Sequence, residues 1–72
     1  MNNEINYYAV RRKKDGVFVA GTDFNYMIPR SILADEYSPP LILTDFNVEF
    51  ELNRRCLSKR YYEVVKVKVV EI

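Results

Sequence analysis

A chain of 72 residues, 49% hydrophobic with only two Gly and three Pro, is folded rather than disordered, and at that length it forms at most one small domain, residues 1–72. Eleven Lys and Arg against ten Asp and Glu leave a net charge of +1, so overall charge calls for no polyanionic partner and only local clustering could. One Cys and no His exclude an internal disulfide and leave a poor donor set for zinc, so no metal and no cofactor is expected.

No stretch approaches the ~20 apolar residues of a membrane-spanning helix, and no membrane partner is expected. The opening "MNNEINYY" is polar and then aromatic, unlike a secretory leader. A cytoplasmic protein with a reduced thiol is the simplest expectation. A domain this small hides only about 60% of its unfolded surface. With no disulfide or metal to staple it, association with another chain, a second copy included, is expected to contribute.

In chain order, "INYYAVRRKKDGVFVAG" predicts a β-hairpin with strands over 5–12 and 17–21. Aromatic and β-branched residues dominate both arms. Asp15-Gly16 is a strong signal for a tight primed turn, because Gly16 reaches positive φ freely. Residues 25–40 then read as a long, mostly irregular excursion. Ile28 precedes Pro29 and is pushed towards an extended backbone, and Pro29 could open one helical turn over Arg30–Asp35. The apolar Tyr26, Met27, Ile28, Ile32, Leu33 and Tyr37 argue against disorder there.

"LILT" predicts a brief buried strand at 41–44. Residues 45–55 fit two periods. Phe46, Val48, Phe50 and Leu52 alternate as a strand would, yet Phe46/Phe50 and Val48/Leu52 are also i,i+4 pairs. Acids lead the segment, Arg54-Arg55 close it, and Thr44 or Asp45 can cap its start, so a helix over 45–55 is expected, buried on two sides, one of which could meet another chain. "RYYEVVKVKVVEI" is the clearest strand, with the Tyr61, Glu63, Val65, Val67, Val69 face expected to meet the core. The opposite face, Tyr62, Val64, Lys66, Lys68 and Val70, is expected to be part-covered or lysine-protected. The fold class is therefore α+β: a small antiparallel sheet of the N-terminal hairpin, the short central strand and the C-terminal strand, packed with one helix.

"TDFN" occurs twice, at Thr22–Asn25 and Thr44–Asn47. Each copy follows an apolar extended run, where Thr and Asp serve as turn or cap residues, so the repeat reads as convergent local chemistry.

Three groups of residues bear on function. The first is basic: Arg11, Arg12, Lys13 and Lys14 at the hairpin tip, and Arg54, Arg55, Lys59 and Arg60 at the helix exit. These are candidate nucleic-acid contacts, with tyrosines nearby to stack bases. The plainer readings are a solvated turn and charges complementing a helix C-terminus. No known reader motif is present. The second group, Asp35, Glu36, Asp45, Glu49 and Glu51, shows no sign of convergence for acid–base work. Cys56 beside two arginines reads as a small hydrophobe at a helix end, so no enzyme is expected.

The third group is aromatic. Six Tyr and four Phe suit a surface with apolar bodies and wet tips. The doublets Tyr7-Tyr8 and Tyr61-Tyr62 place one ring on each face of the sheet. Tyr26, Met27, Ile28, Tyr37, Tyr8 and Tyr62 are the candidate protein interface.

The order "YYAVRRKKDGVFV" followed by "PPLILTDFNVEFELNRRCLSKRYYEVVKVKV" resembles small uncharacterised proteins of phages and prophages of Gram-positive bacteria. Positions 45–55 depart from that pattern in carrying Phe and Val where the others carry Ala. The resemblance implies a compact α+β module with an accessory or host-interaction role and carries no catalytic residues. The leading expectation is a non-enzymatic protein-interaction module, and the alternative is a nucleic-acid-binding accessory protein.

Overall fold

The computed structural model describes residues 5–70. The elements are β1 (Tyr7–Arg12), β2 (Val19–Asp23), β3 (Arg30–Leu33), β4 (Leu43–Thr44), α1 (Val48–Arg54) and β5 (Tyr62–Val67). The fold is α+β, with two antiparallel sheets instead of one: a three-stranded sheet ordered β4-β1-β5 and a separate β2-β3 ribbon.

β1 and β5 pair along their whole length, from Tyr7 opposite Val67 to Arg12 opposite Tyr62. The first hairpin diverges after one bridge, Arg11 to Phe18. Its turn is a four-residue loop, not the expected two-residue primed turn. Arg12 N–H donates to Val17 O at 2.9 Å and Gly16 N–H to Arg12 O at 2.8 Å. Gly16 alone takes a positive φ, 72°, while Asp15 instead accepts from Val17 N–H and binds the Arg12 guanidinium. Beyond Phe18 the register slips between Val19 and Gly21, and β2 leaves β1 for β3. β4 takes the vacated edge, opposite Tyr7 and Tyr8.

Arg30–Leu33 is thus a strand and not a helical turn. Pro29 disfavours a helical residue before it, and β2 offers a free edge that rewards an extended chain after it. "LILT" divides: Leu41 N–H donates to Val19 O at 2.9 Å, while only Leu43 and Thr44 join β1.

The helix forms over a shorter span than 45–55. Asn47, not Thr44 or Asp45, is its N-cap residue, and the Asn47 side chain turns back to accept from Thr44 N–H at 2.9 Å. The C-terminus closes with Leu57 N–H on Leu52 O at 2.9 Å and Cys56 N–H on Asn53 O at 3.2 Å, with Cys56 at φ 55°. That is the Schellman arrangement, and its two hydrophobic partners, Leu52 and Leu57, are both buried.

Val10, Val19, Leu43, Leu52 and Leu57 form the core, flanked by Leu41, Val48, Tyr62 and Val64. The expected core face of β5 is therefore reversed. Val10 faces α1, and its cross-strand partner Val64 must share that side, which takes Tyr62 with it. Val65 lies with Ala9 on the opposite face. Within the chain the helix is buried on one side only: Val48 and Leu52 pack inward, whereas Phe46 and Phe50 are 84% and 65% exposed. The closing residues of the predicted C-terminal strand, 71–72, lie outside the described residues, as do 1–4 of the polar opening.

Candidate functional site

The β2–β3 connection is organised by Asp23, whose carboxylate accepts from Asn25 N–H at 2.9 Å. This side-chain-closed turn throws residues 24–29 outward. Met27 is 103% exposed, and Tyr26 and Ile28 beside it are exposed as well. The Arg30 guanidinium lies 3.9 Å from the Tyr26 ring centroid, which fixes one side of the tip. Tyr37 is also exposed, in a turn where Asp35 accepts from Tyr37 N–H and Ser38 N–H.

The other two predicted interface residues belong to the fold. Tyr8 is half-buried and donates its hydroxyl to Asp45 at 2.6 Å. Tyr62 is half-buried, with its hydroxyl 3.2 Å from Ser31 Oγ, joining β5 to β3. Phe46 and Phe50 are exposed apolar residues absent from the predicted interface. Their i,i+4 spacing was the available signal, but sequence pattern alone assigned them to burial.

The two basic clusters do not form one eight-charge patch. Arg11 pairs with Glu63 and Arg12 with Asp15. Arg54 and Arg55 both bind Glu51, at 3.2 and 2.7 Å, and lie 4.8 and 5.9 Å from the Phe24 ring centroid. Arg55 also donates to Thr22 Oγ1 at 3.0 Å, and Lys59 pairs with Glu49. Parts of the two clusters nevertheless meet. Lys13 N–H donates to Tyr61 O at 2.9 Å, and Arg12, Lys13, Lys14, Arg60, Tyr61 and Tyr62 line one cleft of about 500 Å³.

Three carboxylates are held below their ordinary range. The Tyr8 hydroxyl is the main cause at Asp45, assisted by Asn6. Arg12 is the main cause at Asp15, and Arg55 followed by Arg54 at Glu51. The Asp45 carboxylate in turn pushes the Tyr8 phenol up. Each of these groups is bound to a structural partner.

Among the described residues no three His, Cys, Asp or Glu gather where a metal could be held, and no helix is long and apolar enough to cross a membrane. Comparison with protein-family models, with curated proteins and with solved structures yields no match.

Proposed function

We propose that this chain is a non-enzymatic protein-interaction module of phage or prophage accessory type, acting in the cytoplasm and binding a protein partner, a second copy of itself included. The observation that carries the reading is the β2–β3 tip. Tyr26, Met27 and Ile28 are consecutive, large and uncovered, on a turn whose geometry is set by Asp23 and braced by Arg30. Exposed apolar residues scattered singly need no explanation, but a contiguous group on a rigid turn does. Met adapts its shape to a partner and Tyr supplies broad contact at low entropic cost, which is why both are enriched at interfaces. Phe50 on α1 and Phe46 just before its N-cap add a second uncovered apolar pair. Asp45 is tied to Tyr8, Glu51 to Arg54 and Arg55, Asp35 to backbone and Glu49 to Lys59, which favours a binding role over a catalytic one.

Sedimentation velocity across a wide concentration range tests the reading. The expected result is reversible association that M27S/I28S weakens while leaving thermal stability within about 0.5 kcal/mol, since those side chains are exposed. A strict monomer that binds no hydrophobic probe dye overturns it.

A further inference from the structure

We infer that the cleft between the β1–β2 loop and the start of β5 binds single-stranded nucleic acid, taking backbone phosphates on Lys13, Lys14 and Arg60 and stacking a base on Tyr61. Of the eight basic residues in the two clusters, Arg11, Arg12, Arg54, Arg55 and Lys59 are paired with carboxylates, Arg54 and Arg55 sharing Glu51. The remaining three, Lys13, Lys14 and Arg60, all line this one cleft. The three cations of the two clusters that have no carboxylate partner among the described residues therefore meet in one cleft. Asp15, in the same loop, is hydrogen-bonded to Arg12 and to Val17 N–H and not to these three cations.

Backbone structure sets the spacing of these charges. The Lys13–Tyr61 hydrogen bond extends the β1–β5 ladder by one more pair, so segments far apart in sequence are locked side by side. Tyr61 is 61% exposed at that junction, with the Arg60 guanidinium 5.5 Å from its ring centroid. An exposed ring flanked by cations is the combination that binds single strands without reading sequence. Duplex DNA fits less well. It is read by an element inserted in the major groove, and the one helix is seven residues long with its arginines held by Glu51. No Asn, Gln, Ser or Thr lines the cleft, so no base preference is expected.

Fluorescence anisotropy of a labelled oligothymidine of about 20 nucleotides, titrated with the full chain, tests this. Three phosphate contacts predict that log K falls with log salt at a slope of roughly −2. R60E and K13E/K14E should each lower the slope and weaken binding at least tenfold. Y61A should weaken binding roughly five- to hundredfold with the slope unchanged, because stacking releases no counterions. K59E, outside the cleft, and M27S/I28S should bind as the parent does, so this site and the protein-binding tip can fail independently. Circular dichroism of each variant confirms folding. The inference is overturned by no binding at low salt, by K59E weakening binding as much as R60E, by tighter binding to duplex, or by polyphosphate competing equally while Y61A has no effect. The last outcome marks mere polyanion adherence.

Discussion

Cys56 occupies backbone space that L-residues avoid: φ is 55°, at the position after the helix C-cap where Gly is the usual choice. It stands at the helix end, as its sequence position suggested, and its side chain is exposed and contributes nothing to the core. Cys56→Gly should therefore stabilise the protein, by roughly 0.5–1 kcal/mol after the added chain entropy of Gly, or a few degrees in Tm. Cys56→Val should do the opposite, and equal melting temperatures for the three proteins would contradict the assigned backbone. A second residue-scale prediction concerns Tyr8 and Asp45. Asp45 is held below its ordinary 3.8, so its contribution is present above that value and lost as pH falls through the lowered one. Tyr8 is raised above 10.0, so its contribution is present below that value and lost as pH rises through the raised one. The stability difference between parent and Tyr8→Phe should be flat from about pH 5 to 9 and shrink at both ends. A difference unchanged at acid pH in urea melts would contradict it. The same pair explains why the repeated "TDFN" was only half legible. Asp23 closes a turn on its own neighbour Asn25, as its sequence suggests. Asp45 reaches back across the sheet to Asn6 and Tyr8, contacts that no local pattern encodes.

Among the elements, α1 and the β2–β3 ribbon share the Val19–Leu52 core and the arginine contacts to Phe24, and Arg55 adds a side-chain hydrogen bond between them. Arg55 is 13% exposed, binds Glu51 on its own helix and donates to Thr22 Oγ1 at the end of β2. Removing it leaves Glu51 with Arg54 alone and takes away the Thr22 hydroxyl's partner, so Arg55→Ala should cost about 1–3 kcal/mol. Arg54 binds the same carboxylate but is 44% exposed and touches no other element by hydrogen bond, so Arg54→Ala should stay within about 0.5 kcal/mol. Urea unfolding of both variants checks the contrast, and equal losses would mean that the ribbon is not anchored through Thr22. Local pattern served well where an element carries its own signal. The helix was found through its i,i+4 pairs and closing arginines, and β5 through its valine alternation. β3 was missed because Arg30–Leu33 has no such signal. Its state is decided by β2, and β2 is available only because β1 has given that edge to β4. The core face of β5 was misread for a related reason: alternation tells which residues share a side, while the side that meets α1 is fixed by Val10 across the ladder.

Taken whole, the molecule buries little and exposes much. Six hydrophobic residues are buried and thirteen large ones are exposed among the described residues, in keeping with the small core that the chain's length implies. A chain of this length can expect roughly 4–11 kcal/mol of stability. Leu43→Ala, at the point where β4 meets β1 in the core, should remove about 2–5 kcal/mol and leave a protein close to its threshold. Association then becomes a measurable part of stability, because anything that binds only the folded state raises it by mass action. If the Tyr26–Ile28 tip pairs with a second copy, Tm should climb with protein concentration, and climb more steeply in relative terms for Leu43→Ala than for the parent. Adding M27S/I28S should flatten that dependence in both. Scanning calorimetry over a hundredfold concentration range reads the outcome directly. Concentration-independent melting in the parent, together with full retention of oligothymidine binding, would move the protein's role away from the apolar tip and onto the basic cleft.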